Sequence, residues 1–206
     1  MATVFLVDDD PGVLKALSRL LHTKGYDVRA YTSPQEFLAQ HDATVCGCAV
    51  LDVAMPGLDG LALQQALTSV DAPRPVIFIT GKGDIPTSVR AMKAGAIDFL
   101  VKPVSDQDLL APIARAQEQD TKSRQIRAEL ASIQAKLTTL TPREREVLTH
   151  VVAGRLNKQI AGDLGVVEQT VKWHRARIME RMQARTVAEL MHIAAKLDIE
   201  GGSSTP

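Results

Sequence analysis

Short apolar runs alternate with helical patterns over residues 1–112. The runs VFLV (residues 4–7) and VIFIT (Val76–Thr80) are apolar at successive positions, which is typical of parallel strands buried on both faces. The other predicted strands are Asp27–Tyr31, residues 48–51 and residues 99–101. Strands that alternate with helices predict an α/β fold with a doubly wound parallel sheet.

Capping signals mark the ends of the helices between these strands. Residues 33–36 (SPQE) form a capping box with a proline at the first helical position. Asp84 is placed to cap a later helix, and Gly95 is placed to end it. Pro112 lies inside the pattern of the next helix, which starts near Ser105. We expect that helix to kink or break there, because an interior proline lacks an N–H donor and clashes with the preceding turn.

The pattern changes after residue 112. Residues 113–140 contain neither a strand pattern nor a glycine, and we interpret them as a helical linker. Apolar residues recur in this linker at spacings of 4, 3, 4 and 3: Ile126, Leu130, Ile133, Leu137 and Leu140. This seam of about two heptads fits a linker helix that packs on the chain's own domains, and equally a helix that pairs two chains.

Residues 141–199 predict an all-α unit of four helices. Residues 141–144 (TPRE) form a capping box for the first helix, and Asn157 is placed to cap a short second helix. A longer third helix is predicted from about Glu168 to Met182, and a fourth from about 187 to 197. A short helix, a tight turn and a longer helix are typical of a helix-turn-helix.

Composition limits the class of protein. Apolar residues make up 45% and charged residues 23% of the 206 residues, as in ordinary soluble globular proteins. No run of about 18 apolar residues predicts a membrane-spanning helix, and the start MATVFLVDDD is too short and too acidic for a signal peptide. We therefore expect a cytoplasmic protein with no membrane partner. The tail over residues 200–206 is expected to be disordered.

The formal net charge of zero conceals a gradient along the chain. Residues 1–112 carry 9 Lys and Arg against 13 Asp and Glu, a net of −4, whereas residues 113–140 and 141–206 each carry a net of +2. This asymmetry indicates separate tasks for the two ends. Cys46 and Cys48 are too few for a disulfide framework or a zinc site, and we interpret them as core residues near a strand.

Charged and hydroxyl side chains lie at the carboxyl ends of the predicted strands: Asp8, Asp9, Asp52, Thr80 and Lys102. Open parallel sheets bind their ligands at this edge, where the strand order reverses. Carboxylates that lie close together repel, so Lys102 and a bound divalent cation are the candidates to offset them. Mg²⁺ suits oxygen ligands and keeps several waters, which leaves room for a phosphoryl group. An oxygen of Asp52 is then a positioned nucleophile.

Four motifs in this order resemble a response-regulator receiver domain: DDD after strand one, LDVAMPGLDG after strand three, FITG after strand four and FLVKP around strand five. The resemblance covers about residues 1–112. It implies a flavodoxin-like α/β receiver, with a five-stranded parallel sheet in the order 2-1-3-4-5. It also implies that Asp52 accepts a phosphoryl group from a sensor histidine kinase. Asp9, Asp52 and the backbone carbonyl of Ala54 would ligate Mg²⁺, with Asp8 acting largely through a bound water.

The same resemblance assigns roles to three further residues. Thr80 and Lys102 would hold the phosphoryl oxygens, and Phe99 takes the position of an aromatic residue that turns inward on activation. Phenylalanine has no hydroxyl, so switching at Phe99 would work through packing alone. The Lys102–Pro103 bond is expected to be cis. Taken singly, Thr80 also fits an ordinary β-branched strand residue, and Phe99 also fits a core aromatic.

The predicted third helix of the rear unit has two distinct faces. Taking Val171 as the centre of one face, a step of about 100° per residue puts Ile178 and Met182 on the same side. The opposite side carries Gln169, Lys172, Trp173, Ala176, Arg177 and Glu180. If this helix enters the major groove, Lys172 and Arg177 can meet base edges or phosphates, and Gln169 can pair with adenine.

Two further motifs, LTPREREVL and GRLNKQIAGDLGVVEQTVKWHRARIMERM, resemble the LuxR-type DNA-binding domain over about residues 138–199. With a receiver in front, the whole chain resembles a response regulator of the NarL/FixJ type. This implies double-stranded promoter DNA and RNA polymerase as partners, and a homodimer on activation. Base-edge roles follow for Lys172, Trp173 and Ala176, and phosphate contacts for Lys158, Thr170, Arg175 and Arg181. Trp173 can instead contact thymine methyls or the sugar backbone, or pack against a neighbouring helix.

The main hypothesis is therefore a phosphorylation-activated transcription regulator, whose only chemistry is Mg²⁺-dependent self-phosphorylation and autodephosphorylation. A magnesium-dependent phosphohydrolase built on the same pocket is the second reading. The sequence argues against it, because Ala54 stands where a second aspartate would act as a general acid. A third hypothesis is a DNA-binding protein that has no phosphorylation switch.

Overall fold

The computed structural model describes residues 2–68, 73–81 and 83–197, and the chain divides into two units after Arg124. The strands of the first unit are β1 (Thr3–Val7), β2 (Asp27–Tyr31), β3 (Gly47–Asp52), β4 (Val76–Thr80) and β5 (Asp98–Val101). They pair in parallel in the order β2-β1-β3-β4-β5, which confirms the predicted sheet. The tail over residues 200–206, expected to be disordered, lies outside the described residues.

Helices cover both faces of this sheet: α1 (Pro11–Thr23), α2 (Pro34–Gln40), α3 (Gly60–Thr68), α4 (Ile85–Lys93) and α5 (Asp106–Thr138). Successive residues of a strand point to opposite faces, so β1 serves two cores. Phe5 packs in one core with Phe37 and Phe78, whereas Leu6 packs in the other with Leu21. Every residue of the three inner strands β1, β3 and β4 is buried, and β1 and β4 are apolar without alternation, as the sequence pattern indicates.

Side-chain caps begin the helices where the sequence predicts them. Ser33 Oγ accepts a hydrogen bond from the backbone N–H of Glu36 at 3.2 Å. Asp84 Oδ1 accepts one from the N–H of Thr87 at 2.8 Å, and Gly95 follows α4 with a φ of +88°. These caps satisfy N–H groups that have no partner within the helix.

Helix α5 runs without interruption through Pro112, so the expected break there was wrong. Pro112 is itself buried, and Leu109 and Ile113 on the same face are 0% exposed in the core between α5 and the sheet. Burial of this apolar face offsets the one backbone hydrogen bond that a proline removes.

The middle of α5 is hydrogen-bonded to the start of β3. Asp120 is 1% exposed, and its Oδ2 accepts from the N–H of Gly47 at 2.9 Å and from Arg124 Nε at 2.7 Å. Cys46 Sγ also donates to this carboxylate at 3.1 Å, while Cys48 is fully buried, and both thiols are free. The contacts that α5 makes within the first unit extend to Arg124. The assignment of residues 113–140 as a linker stays a prediction.

The second unit contains α6 (Pro142–Val152), α7 (Asn157–Leu164), α8 (Glu168–Met182) and α9 (Val187–Ala195), as the sequence predicts. Their shared core includes Val147, Ile160, Val171, Ile178 and Leu190. Thr141 and Glu144 form the predicted capping box at the start of α6. Within the residues that the structure describes, no helix is both long and apolar enough to cross a membrane.

Asn157 does not cap α7, and this prediction was wrong. Leu156 takes the N-cap position, and its N–H donates to the side chain of Gln159 at 2.9 Å. Asn157 is the first residue of the helix, and its side-chain oxygen accepts from Arg175 Nη1 at 2.9 Å. A partner on α8 therefore holds the amide that could otherwise have capped the helix.

The heptad seam of the predicted linker is divided between two environments. Ile133 and Leu140 are 5% and 4% exposed in the core of the second unit, and Leu137 packs against the same core. Ile126 is 58% exposed, and Leu130 is half-buried. The second half of the seam therefore packs on the chain's own domain. The alternative, in which the linker helix pairs two chains, would depend on Ile126 and Leu130.

Candidate functional sites

An acidic pocket lies at the carboxyl edge of the sheet, where the neighbouring strands β1 and β3 end. The structure brings the predicted residues together in one cavity of about 390 Å³, which is lined by Asp8, Asp9, Asp10, Asp52, Ala54, Thr80, Gly81 and Lys102. This is the edge at which parallel sheets bind ligands, at the reversal of strand order between β1 and β3.

Lys102 joins two buried carboxylates in this pocket. Its Nζ lies 2.6 Å from Asp8 Oδ2 and 2.7 Å from Asp52 Oδ1, and these two aspartate side chains are only 2% and 6% exposed. The N–H of Lys102 donates to the carbonyl of Thr80 at 2.8 Å, which fixes the lysine at the end of β5. The other oxygen of Asp52 accepts from the N–H of Ala54 at 2.6 Å. Asp52 is therefore held by one contact on each carboxylate oxygen.

The charge of the lysine does not balance the charge of the acids around it. Burial by itself lowers the pKa of the Lys102 ammonium, but its hydrogen bonds and charge interactions with Asp52 and Asp8 outweigh burial and raise that pKa above the usual value. Lys102 therefore stays protonated at neutral pH. One positive charge faces two buried carboxylates, with Asp9 and Asp10 at the rim, so the pocket favours a further cation.

The donor set of the pocket fits a hard cation that keeps water ligands. Among the described residues, no three His, Cys, Asp or Glu side chains are grouped to hold a metal ion by themselves. Asp9 is exposed, and Lys102 contacts both Asp8 and Asp52. The cavity nevertheless presents carboxylate oxygens with room for several waters, and Mg²⁺ commonly binds through one or two carboxylates and keeps its waters. We therefore find the residues compatible with Mg²⁺.

The two predicted switch residues, Thr80 and Phe99, differ in their distance from the pocket. Thr80 ends β4, is 2% exposed and lines the pocket. Phe99 does not line it: the residue is half-buried, and its ring centre lies 6.1 Å from that of Phe78 in the core. The Lys102–Pro103 peptide bond is cis, as predicted. The position of Phe99 agrees with a core aromatic, and its switching role remains a proposal.

Helix α8 separates an apolar face from an exposed polar one. Val171 and Ile178 are 0% exposed and Met182 is 1% exposed, which confirms the predicted core face. Gly165, with a φ of +66°, ends α7 and allows the tight turn into α8. Residues of the other face are exposed: Gln169, Lys172, Trp173, Ala176 and Arg177. The arrangement of α7 and α8 is that of a helix-turn-helix whose second helix presents polar and basic side chains.

Two basic residues of the α8 surface form exposed ion pairs. Lys172 Nζ lies 3.3 Å from Glu168 Oε1, and Arg177 Nη1 lies 3.4 Å from Glu180 Oε2. Exposed pairs of this kind contribute little, so DNA phosphates or base edges can replace the carboxylates. Lys158 on α7 is also exposed, and Thr170 is half-buried.

The two remaining arginines of α8 are engaged inside the domain. Arg175 binds Asn157, and Arg181 Nη1 lies 3.0 Å from Glu144 Oε2 and donates to the carbonyl of Thr139. Both arginines are half-buried. They hold α8 against α7 and α6, a structural role that the sequence analysis, which assigned both arginines to phosphate contacts, did not predict.

Trp173 is exposed on the polar face of α8. More than half of the residue, 54%, is accessible, and its ring lies against His174 and Arg177 of the same helix. This placement favours the readings in which Trp173 meets DNA over the one in which it packs against a neighbouring helix. Gln169, Thr170 and Trp173 line a shallow depression together.

The Glu144–Arg181 pair leads to a prediction about acid stability. Burial by itself raises the pKa of the Glu144 carboxyl, but hydrogen bonds from Thr141 and the charge of Arg181 outweigh it and lower that pKa below its usual value of 4.5. A carboxyl with a lowered pKa stabilises the fold above its unfolded pKa, and the stabilisation is lost as pH falls through the folded value. We expect Glu144→Gln to lower the free energy of unfolding by about 1–3 kcal/mol at neutral pH.

The measurement is urea denaturation followed by circular dichroism, between neutral pH and about pH 3. The difference between wild type and Glu144→Gln should shrink as pH falls below 4.5, because the carboxyl of Glu144 is then protonated first in the unfolded chain and, at lower pH, in the folded chain as well. Glu146→Gln is the matched control, since Glu146 lies on the same helix with a side chain 55% exposed. A pH-independent difference, or an equal effect of the control, would contradict the assignment.

Comparisons with known proteins assign a family to each part of the chain. Residues 4–114 match the family model for the response regulator receiver domain, and residues 138–194 match the model for bacterial regulatory proteins of the luxR family. Nodulation protein W of Bradyrhizobium diazoefficiens is 43% identical over 198 residues, which cover 96% of this chain and 87% of that protein. The transcriptional regulatory protein FixJ of the same organism is 37% identical over 193 residues, or 94% of each chain.

A solved structure shows the same likeness. The response regulator StyR superposes with a TM-score of 0.87 at 43% sequence identity, covering 95% of this chain and 98% of that one. The two family models match the chain in the same order as its two structural units. The relatives are similar over nearly its whole length, so both comparisons indicate the same family. This chain belongs to the response regulators, in the group that joins a receiver domain to a LuxR-type DNA-binding domain.

Proposed function

We propose that this chain is the transcription regulator of a two-component system, which a sensor histidine kinase activates by transferring a phosphoryl group to Asp52. One observation carries the proposal: Asp52 is buried at the ligand-binding edge of the sheet, with Lys102 on one oxygen and the N–H of Ala54 on the other. A carboxylate held this way is a preorganised nucleophile beside a fixed positive charge.

The residues of the pocket suit the transfer of a phosphoryl group. An oxygen of Asp52 attacks the phosphorus, and the bond from phosphorus to the imidazole nitrogen of the kinase breaks with its electron pair remaining on that nitrogen. The product is an acyl phosphate on Asp52. Lys102 Nζ keeps its hydrogen bond to Asp8, and the hydrogen bond that it donated to Asp52 now goes to an incoming phosphoryl oxygen. The hydroxyl of Thr80 binds a second phosphoryl oxygen. Hydrolysis of the acyl phosphate returns the receiver to its starting state.

Mg²⁺ would be held by Asp9, Asp52 and the backbone carbonyl of Ala54, with Asp8 acting through a water. When bound, it supplies positive charge against the phosphoryl oxygens and neutralises the excess of carboxylates. The reaction consumes one phosphoryl group for each receiver, which is a modification of the protein itself and not turnover of a metabolite.

The second half of the proposal concerns DNA. Helix α8 would enter the major groove of promoter DNA in the cytoplasm and present Gln169, Lys172, Trp173, Ala176 and Arg177 to base edges. Phosphate contacts would come from Lys158, Thr170, Arg175 and Arg181. Arg175 and Arg181 already bind Asn157 and Glu144, so they would meet phosphates with the N–H groups that these partners leave free.

Phosphorylation would couple the two halves by pairing two chains. A receiver equilibrium shifted by Thr80 and by the packing of Phe99 against Phe78 would favour a homodimer, which then recruits RNA polymerase. Two α8 helices on two half-sites bind more tightly than one, because the second contact benefits from a raised effective concentration.

The experiment that tests the DNA-binding half is Lys172→Ala, measured by the affinity of the phosphodonor-treated chain for a duplex selected with the wild-type protein. We expect a loss of about tenfold, because Lys172 is exposed and its pairing with Glu168 is weak. Glu168→Ala should act in the opposite direction, since it removes a negative charge close to the DNA phosphates. Lys15→Ala is the matched control on α1, with no expected effect. Unchanged affinity of Lys172→Ala at matched salt would exclude α8 as the reading helix.

A further inference from the structure

The guanidinium of an arginine lies over the ring of a tryptophan on the exposed face of α8. The guanidinium carbon of Arg177 lies 5.5 Å from the centre of the Trp173 ring and over its face. The two residues are four apart, so they occupy adjacent turns of one face. His174 contacts the same ring edge-on, with 5.0 Å between ring centres. The Trp173 ring therefore contacts two residues of its own helix, the half-buried His174 at its edge and the guanidinium of Arg177 over its face.

The second partner of Arg177 is Glu180, and this contact is weak enough for the guanidinium to exchange it for a DNA base. Glu180 lies 3.4 Å away and its side chain is 70% exposed, which is a weak ion pair in water. A cation–π contact depends on the charge of the guanidinium and not on its N–H donors, of which Nη1 donates to Glu180 at 3.4 Å. These donors form the planar fork that matches the O6 and N7 acceptors of guanine in the major groove.

The neighbourhood keeps this fork accessible. Ala176 lies between Trp173 and Arg177 in sequence and on the same exposed face, and its methyl group is too small to cover either of them. Arg175 and Arg181, in contrast, are held inside the domain by Asn157 and Glu144. Arg177 is thus an exposed arginine of α8 that contacts an aromatic ring at the surface.

We propose that Trp173 is a positioning residue that holds the guanidinium of Arg177 for bidentate contact with one guanine, so that Arg177 reads this base with the support of the ring. This inference rests on the proposed function, because it requires α8 to lie in the major groove. Arg177 has four rotatable side-chain bonds, and the ring removes part of that freedom before the DNA arrives. Trp173 acts through Arg177 and supplies no base contact of its own at that position.

The test is selection from a pool of duplexes with a randomised centre, using the full chain treated with a small phosphodonor and Mg²⁺. Wild type should prefer guanine over the other bases at one position of each half-site by about fivefold or more. Trp173→Ala and Arg177→Ala should both lose the preference at that same position. Trp173→Phe should keep most of it because a ring face remains, and Arg177→Lys should lose it because lysine has no planar fork.

A double-mutant cycle measures the dependence directly. On the duplex selected by wild type, at matched salt, each alanine variant should bind about tenfold more weakly. The double variant should bind no more weakly than Arg177→Ala, because removing the ring has no further effect once the arginine is absent. Independent, multiplicative losses would overturn the inference, as would a Trp173→Ala chain that keeps the guanine preference.

Failure of this inference can be told apart from failure of the proposed function. Lys158→Ala removes an exposed cation on α7, and it should weaken binding to all duplexes alike without changing any base preference. If wild type selects a sequence and Lys158→Ala weakens its binding, DNA binding stands whatever the result at Trp173. If wild type selects no sequence, both proposals are overturned. Trp173 and Arg177 are both exposed, so equal unfolding midpoints should confirm that the variants fold.

Discussion

Asp52→Asn is expected to abolish incorporation of phosphate from a small phosphodonor in the presence of Mg²⁺. Asparagine keeps the shape of the side chain and can still accept the hydrogen bond from the N–H of Ala54, but it offers no carboxylate oxygen for attack on phosphorus. The pocket should otherwise remain in place, because Lys102 keeps its contact with Asp8. The effect should be a complete loss, since the proposed mechanism gives the role of nucleophile to Asp52 and Asp8 keeps its contact with Lys102 without taking over that role.

Intact mass and peptide mapping after treatment with the phosphodonor measure the result. Asp59→Asn is a matched control in the same segment: Asp59 is exposed, and it caps α3 by accepting the N–H of Ala62 at 2.7 Å. Asparagine also caps helices, so this control should fold and incorporate one phosphoryl group as wild type does. Persistent labelling of Asp52→Asn would remove Asp52 from the mechanism.

Lys102→Met is expected to destabilise the first unit in the presence of a chelator. The substitution leaves Asp8 and Asp52 as neighbouring buried carboxylates without the ammonium that lies within 2.7 Å of both. Removing one partner of a fully buried ion pair costs several kcal/mol, and the side chain of Lys102 is 23% exposed. We therefore expect a loss of about 2 kcal/mol in the free energy of unfolding.

Urea denaturation in chelator and in millimolar Mg²⁺ measures this loss and its reversal. If the pocket accepts a divalent cation, Mg²⁺ should stabilise Lys102→Met more than it stabilises wild type, because the cation replaces the missing positive charge. Lys15→Met, at an exposed lysine of α1, controls for the loss of charge alone. A variant as stable as wild type in chelator, or one that does not respond to Mg²⁺, would contradict the account of these carboxylates.

The sequence predicts the sheet and the pocket because the signals that specify them are local. A buried parallel strand needs an uninterrupted apolar run, and an aspartate directly after such a run lies at the edge of the sheet. Asp8, Asp52, Thr80 and Lys102 each follow or end a strand, so the strand order alone brings them together. The core face of α8 is predicted for the same reason, since Val171, Ile178 and Met182 repeat with the period of a helix.

The features that the sequence did not predict depend on partners distant along the chain. Pro112 continues α5 because the buried face of that helix packs on the sheet, which outweighs the local preference of proline. Asn157 fails to cap α7 because Arg175 binds its side chain. Asp120 meets Gly47 across 73 residues, and Arg181 meets Glu144 across 37. No periodicity or capping pattern encodes such contacts, because they arise only when the helices pack.

The central claim is that the state of Asp52 controls how tightly α8 binds DNA. Its most direct test is the affinity of the full chain for a selected duplex, measured with and without a small phosphodonor in Mg²⁺, for wild type and for Asp52→Asn. The account predicts that the phosphodonor tightens binding by wild type by about tenfold or more and leaves Asp52→Asn unchanged. Equal affinity of wild type in the two conditions would contradict it, and would favour a DNA-binding protein without a phosphorylation switch.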